Sequence, residues 1–358
     1  MEKTFRVLTI NPGSTSTKIA VFDNETKVIE QTLRHSNEEL APFKNIIEQF
    51  DFRKNIILDC LKENNISTES LDAVVGRGGN LKPLASGTYV VNQAMIDVLT
   101  DKNTAQHAAN LAAVIAENIS SQHNIPAFIV DPPSVDEMDE VARISGLPEL
   151  PRKSRFHALN QKAIAKRAAK EMGKPYAELN MIVAHLGGGV SVGVHRKGLV
   201  IDTNNALNGD GAMTPERCGT LPTGDLIELC YSGKYTFDEM KKKTVGNGGL
   251  VAYLNTNDGR EVGKMIDAGD ENAKLVYQAL AYQVAKEIGA GAAALKGDVD
   301  AICITGGLAY DSMLVGWIKE YVEFIAEVRV YPGEDELIAL AQGALRILNN
   351  EEVAAEYK

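Results

Sequence analysis

The sequence predicts an α/β fold built twice, each half organised around a polar turn that joins two strands. The first observation is an apolar run at 5–10 that enters Asn11-Pro12-Gly13-Ser14-Thr15-Ser16-Thr17-Lys18 and leaves along an alternating segment, 18–22. The second is the return of that pattern about 175 residues later: apolar 181–186, the turn Gly187-Gly188-Gly189, then 190–195, a hairpin at Arg196-Lys197-Gly198, and 199–202. Length is the third, because 358 residues exceed a comfortable single core and favour two domains.

In chain order, strands are expected at 5–10, 17–22 and 27–33, followed by a helix over 38–50 continuing in another to 64. A short strand at 73–75 runs into Gly76-Arg77-Gly78-Gly79, helical patterns cover 92–99 and 104–121, and a strand at 127–130 ends on Asp131. The charged stretch 135–146 reads as a short helix or a mobile loop. A basic run, Arg152-Lys153-Ser154-Arg155-Phe156-His157, leads into a helix ending near 172. Beyond the repeated strands come a glycine-rich loop (208–223), several helices, a strand at 301–304 ending in Thr305-Gly306-Gly307, a strand at 328–331 and a helix over 334–349. No low-complexity linker interrupts the chain, so the boundary near 150–158 reads as a hinge. The expected domains are 1–155 with 334–358, and 156–333.

Composition narrows the function classes. Hydrophobic content of 44% and charged content of 24% describe an ordinary globular protein. A net charge of -11 argues against nucleic acid or an anionic membrane as partner, since both need a basic surface. Cys60, Cys218, Cys230 and Cys303 have neither metal-type nor redox spacing, which predicts reduced thiols in a cytoplasmic protein. No long apolar stretch follows Met-Glu-Lys-Thr, so no signal peptide is expected. The apolar run 276–295 carries Lys286 and Glu287 in its middle and reads as a buried helix, not a membrane span.

A turn of the Asn11–Lys18 kind directs backbone N–H groups and hydroxyls at one point, with Lys18 adding charge, so an anion such as phosphate fits there. An ordinary Asn-Pro-Gly hairpin turn is the alternative, and a packing or hairpin role is the alternative for Gly187–Gly189. Two such turns, one in each half, point to a nucleotide in a cleft between the halves. The sequence lacks both the Gly-x-x-x-x-Gly-Lys-Ser/Thr run and the Gly-x-Gly-x-x-Gly helix opening, so the commonest nucleotide cradles are not in use.

The residues Asn11 to Lys18, His185-Leu186-Gly187-Gly188-Gly189 and Thr305-Gly306-Gly307 resemble, in that order, the two phosphate motifs and the adenosine motif of the acetokinase family. The resemblance covers essentially the whole chain. It implies the duplicated actin/sugar-kinase/chaperone-type ATPase fold, with two domains around a nucleotide cleft, ATP/ADP and Mg²⁺ as cofactors, and a homo-oligomer, dimeric or larger. It also implies that Asn11, Gly13, Ser14, Ser16, Lys18, His185, Gly187, Gly188, Gly189, Gly306 and Gly307 bind the nucleotide. Val74-Val75-Gly76-Arg77-Gly78-Gly79 stands where acetate kinases carry a His-Arg-x-x-His-Gly-Gly type run. That departure, a short chain and Tyr331-Pro332-Gly333-Glu334-Asp335-Glu336-Leu337 near the end together imply butyrate or a branched short-chain fatty acid as acceptor, with its acyl phosphate as product.

A carboxylate of pKa about 4 to 5 is already an ionised nucleophile at neutral pH, so no general base is required. The obstacle is repulsion between two anions, and catalysis becomes a matter of positioning and positive charge. Arg77, between two glycines after a strand, matches the family's substrate-binding arginine; Arg217, in Thr214-Pro215-Glu216-Arg217-Cys218-Gly219, matches the one that stabilises the transferring phosphoryl group. His157 matches the transition-state histidine. Surface salt bridges for the arginines and a helix-start or core histidine are the alternatives. Asp131, held by Pro132 and Pro133 at a strand's C-terminal end, suits Mg²⁺ directly or through water, or forms an Asp turn before the prolines. From the acidic run 334–336 the family's metal-linked glutamate maps to Glu336, which the dipole of a helix's first turn also favours, and Asn11 joins the same metal set. His107 resembles the family's second histidine, without the usual prolines after it, while Cys218 has no local histidine partner and reads as inert. Rival readings are acetate or propionate as acceptor, a sugar kinase needing a catalytic Asp to activate a neutral hydroxyl, and a non-enzymatic actin-like switch; pairing Arg77 with Arg217 favours an anionic acceptor.

Overall fold

A computed structural model describes residues 3–208 and 210–358. Met1, Glu2 and Gly209, the last in the glycine-rich loop expected over 208–223, lie outside the described residues. Among the described residues the strands are, in chain order, β1 Arg6–Pro12, β2 Ser16–Asp23, β3 Thr26–Arg34, β4 Ala73–Gly76, β5 Thr88–Val90, β6 Ala127–Val130, β7 Asn180–Leu186, β8 Val190–Arg196, β9 Leu199–Thr203, β10 Ala301–Gly306, β11 Val328–Pro332 and β12 Ala355–Glu356. They form a seven-stranded sheet ordered β12-β5-β6-β4-β1-β2-β3 and a five-stranded sheet ordered β11-β10-β7-β8-β9.

The duplication is explicit in the pairing. β1-β2-β3 and β7-β8-β9 are both antiparallel meanders, and each first strand takes a parallel neighbour on its other side, β4 on β1 and β10 on β7. Both meanders carry a register shift at matching places, between Val21 and Phe22 and between Val194 and His195. The chain divides into two compact units, the first running to Val135 and resuming at Asp335–Lys358, the second Asp136–Glu334. The stretch ahead of His157 belongs with the second unit: Asp139 donates its N–H to the Ile201 carbonyl at 2.9 Å and Arg152 pairs with Asp202 at 2.8 Å.

In the first unit the helices Asn110–Ser121 and Glu336–Leu348 cover opposite faces of the sheet. Ile129 enters the core shared with Leu111 and Ile115, while its neighbour Val130 faces Gly343. In the second unit β7 is buried along its whole length, so both faces need cover. Ile182 and Ala184 pack with the helix Glu271–Ala294, and Met181 and Val183 pack with Ala158–Glu171. Close approach accounts for two glycines. A Cβ on Gly76 would lie 2.6 Å from the Ala112 backbone, and one on Gly306, where φ is +94°, would lie 2.3 Å from the Leu186 carbonyl oxygen.

Three local expectations change. The helix expected over 38–50 forms only as Asn37–Leu40, because Pro42 lacks an N–H and disfavours helix at the residue before it; the chain resumes as Ile46–Gln49 and Phe50–Glu63. The helix expected from 104 begins at Asn110, because Ala105 turns its carbonyl to the side-chain amides of Asn80 and Asn110 at 3.0 Å. β5 and β12 were not expected; too short to show alternation, they pair with each other at the sheet edge. Among the described residues no helix is long and apolar enough to cross a membrane.

Candidate active site

Each unit gathers its polar groups at the carboxyl ends of its parallel strands, the end at which open α/β sheets present ligand sites. In the first unit β1 ends in Asn11 and Pro12, β4 in Gly76 and Arg77, and β6 in Asp131. Arg77 donates its backbone N–H to the Ile10 carbonyl at 2.9 Å, which fixes its guanidinium beside β1. Glu336, the first residue of the last long helix, stands between them. It accepts a 2.6 Å hydrogen bond from the Asn11 amide and forms an ion pair with Arg77, both of whose side chains are mostly covered, 22% and 16% exposed. His107 joins this group; partial burial and then the charge of Arg77 lower its pKa, which keeps the imidazole neutral. Lys18 lies directly opposite Asn11 in the β1–β2 register and so shares its face. Ser14 and Lys18 are exposed.

The turn at Gly13–Ser16 closes with a 2.7 Å bond from the Gly13 N–H to the Ser16 carbonyl. Beneath it lies a residue that sequence reasoning passed over. Arg53, fully buried, donates to the carbonyls of Gly13, Ser14 and Ser16 and to the Thr17 hydroxyl at 2.9 to 3.2 Å. Among the described residues its partners are all uncharged oxygens, Gln49 completing the set, and burial pulls its pKa down to about 10. By holding the carbonyls inward, Arg53 shapes the turn and places positive charge under it. Arg53→Met is expected to cost about 3 kcal/mol of stability, because three partly covered carbonyls and the buried Thr17 hydroxyl lose their donor; an unchanged urea midpoint would remove this role.

Asp131 has a positive φ of +38°, a conformation in which Asp is enriched. Its carboxylate accepts the Gly87 N–H at 2.7 Å, and its own N–H reaches the Gly87 carbonyl at 3.0 Å. One of its oxygens is therefore committed to the β5 approach.

In the second unit the turn Gly187–Gly189 closes with a 3.0 Å bond from the Gly187 N–H to the Gly189 carbonyl. A Cβ on Gly189 would meet Arg217 Nη1 at 2.3 Å and His157 Cε1 at 3.4 Å, so both candidate phosphoryl-stabilising residues converge on this glycine. Glycine at Gly187 faces Glu334 and His185, and at Gly188 it faces Glu216. Thr214, another residue missed, ties the loop to the turn: its hydroxyl donates to the Gly188 carbonyl at 2.7 Å and accepts the N–H groups of Glu216 and Arg217. Arg217 anchors Nη1 on the Ala206 carbonyl, while its Nε is buried with no hydrogen-bond partner among the described residues. An unmet buried guanidinium donor beside an N–H-rich turn is a feature that an anion would satisfy.

His185 is buried within β7, stacks on His157 with ring centroids 3.8 Å apart, and bonds Asn160 at 2.8 Å and Glu334 at 3.0 Å. Gly306 joins β10 to Gly333 through a pair of backbone bonds, and Gly307 beyond it is exposed with open space where a Cβ would stand. Cys218 donates to its neighbour's carbonyl, and burial raises its pKa, as suits an inert thiol.

The acetokinase family profile matches residues 149–327. A butyrate kinase of Clostridium acetobutylicum is 56% identical over 354 residues, 99% of each chain. The chain belongs to the acetokinase family. A probable butyrate kinase of Clostridium botulinum is 57% identical over 353 residues, again 99% of each chain. Among solved structures, the acetate kinase of Porphyromonas gingivalis superposes with a TM-score of 0.76 at 22% identity, over 96% of this chain and 100% of that one. For the fold alone, that likeness agrees with the two-unit architecture of an acetokinase and with the duplicated ATPase fold expected from the sequence.

Proposed function

We propose that this acetokinase transfers the γ-phosphoryl group of ATP to butyrate or a branched short-chain fatty acid, and in reverse forms ATP from ADP and the acyl phosphate. The observation that carries the reading is identity of 56% with a butyrate kinase across 99% of both chains. In the reaction a carboxylate oxygen forms a bond to the γ phosphorus while the bond to the β–γ bridging oxygen breaks, its electron pair leaving with ADP. No proton moves at the acceptor, in keeping with an acid ionised at neutral pH.

Nucleotide phosphate contacts are assigned to Gly13, Ser14, Ser16 and Lys18 in the first unit and to Gly187–Gly189 in the second, with Gly306 and Gly307 assigned to the adenosine. Arg217, with its unpartnered Nε, and His157, beside the same glycine, are assigned to the transferring phosphoryl oxygens. Arg77 is assigned to the acceptor. Its ion pair with Glu336 is the resting arrangement, and a substrate carboxylate exchanges with Glu336 for the guanidinium. Asn11, Asp131 and Glu336 offer hard oxygen donors of the kind Mg²⁺ takes. When bound, Mg²⁺ neutralises developing phosphate charge. The proposal places the enzyme in the cytoplasm as a homo-oligomer, a state that its sedimentation coefficient reads directly; its four thiols are unpaired.

The test is acyl phosphate trapped as the hydroxamate from ATP and Mg²⁺, with acetate, propionate, butyrate, isobutyrate and isovalerate compared at matched concentrations. Activity peaking at butyrate or a branched acid is expected, with overlap between neighbours, since one methylene changes selectivity by only about 1 to 3 kcal/mol. A maximum at acetate would defeat the chain-length assignment. No acyl phosphate with any acid, while ATP still binds, would defeat the carboxylate-kinase reading.

A further inference from the structure

Behind His157 runs a line of polar side chains, buried except for the half-buried Tyr176 at its far end, that the reaction does not use directly. Tyr176 Oη lies 2.7 Å from His195 Nδ1, His195 Nε2 lies 3.1 Å from Gln161 Oε1, and Gln161 Nε2 lies 2.8 Å from Ser191 Oγ. Ser191 Oγ in turn lies 2.8 Å from His157 Nδ1. His195, Gln161 and Ser191 are fully buried.

One backbone atom sets the direction of the whole line. Gln161 Nε2 also lies 3.0 Å from the Ser191 carbonyl oxygen, which can only accept, so that end of the amide must be the donor. Gln161 Oε1 is then an acceptor, and His195 Nε2 must carry a proton. Burial, with the nearby charge of Lys162, holds His195 neutral, which leaves its Nδ1 to accept the Tyr176 hydroxyl. At the other end Ser191 Oγ receives the Gln161 donor and, weakly at 3.4 Å, the His157 backbone N–H. Its own hydrogen is therefore directed at His157 Nδ1.

We infer that Gln161 and Ser191 are positioning residues which fix neutral His157 as the Nε2–H tautomer, presenting an N–H donor rather than a lone pair to the phosphoryl group. A lone pair there would face the oxygens of an anion and repel them. The stack of His157 on His185 sets the ring plane; the Ser191 hydroxyl chooses which nitrogen bears the proton. What the N–H acts on rests on the proposed function, whereas the tautomer itself does not.

The experiment is nitrogen NMR of the full chain labelled at the histidine rings, with His157 assigned by its loss in a His157→Asn control. The expected result is a pyridine-like Nδ1 and a pyrrole-like Nε2 for His157. In Gln161→Glu the carboxylate accepts the Ser191 hydroxyl hydrogen, and His157 Nδ1 must instead donate. The ring signature should then reverse or become mixed, kcat should fall at least about 10-fold, and the KM for ATP should stay within about twofold. Ser191→Ala, which removes the hydroxyl without adding charge, should give the mixed signature and a smaller loss of kcat. A pyrrole-like Nδ1 in the parent protein, or an unchanged His157 signature in both variants, would overturn the inference. A parent enzyme that phosphorylates no carboxylate would overturn the proposed function and leave the tautomer readout intact.

Discussion

Arg217→Leu is expected to lower kcat about 10³-fold while ATP binding changes by no more than about threefold. The asymmetry follows from the site. The rest of the second turn, its glycine N–H groups and the Thr214 tie to Gly188, does not depend on the Arg217 head group, so a nucleotide keeps its ground-state contacts. What is lost is the buried Nε donor beside Gly189, which has no partner among the described residues and would respond to charge that develops in transfer. Arg217→Lys should recover little, because a point charge cannot both hold the Ala206 carbonyl and present a second donor. Steady-state rates and calorimetric ATP titration together decide the matter. A kcat within tenfold of the parent would remove Arg217 from the phosphoryl site.

Arg77→Leu should raise the KM for the carboxylate about 100-fold and leave the KM for ATP nearly unchanged. The guanidinium is held by its ion pair with Glu336, so removing it also leaves a largely covered carboxylate without its cation. Glu336→Gln separates the two effects. If Glu336 competes with substrate for Arg77, this variant should bind the carboxylate more tightly than the parent while losing turnover through the metal. The double variant should then show strong coupling instead of additive losses. A carboxylate KM unaffected by Arg77→Leu would place the acceptor elsewhere.

Much of this arrangement was legible in the sequence because it is carried by local contrast. A polar turn between two apolar runs is visible without neighbours, and its repetition at Gly187–Gly189 exposed the duplicated fold before any pairing was known. Arg77, His157 and Arg217 were found through motifs, and the structure sets His157 and Arg217 at one glycine while placing Arg77 on Glu336. Residues that act through distant partners gave no such signal. Arg53 sits in an unremarkable amphipathic helix, and only the fold brings it under a turn almost forty residues earlier. Gln161 and Ser191 look like ordinary helix and strand residues until β8 crosses beside the helix Ala158–Glu171. Pro42 is a readable breaker that outweighs the apolar spacing of 38–50, whereas β12, two residues long, offers no period at all.

The ion pair between Arg77 and Glu336 also sets an order of assembly. Residue 336 follows the entire second unit in the chain, yet it completes the first; so do the helix face against Val130 and the edge strand beside β5. During synthesis the second unit is a continuous segment and has all its strands in hand, but the first must wait with an uncovered sheet face and an unpaired Arg77. The half of the enzyme made first is therefore finished last, and a chain interrupted before Asp335 lacks the glutamate that pairs with Arg77.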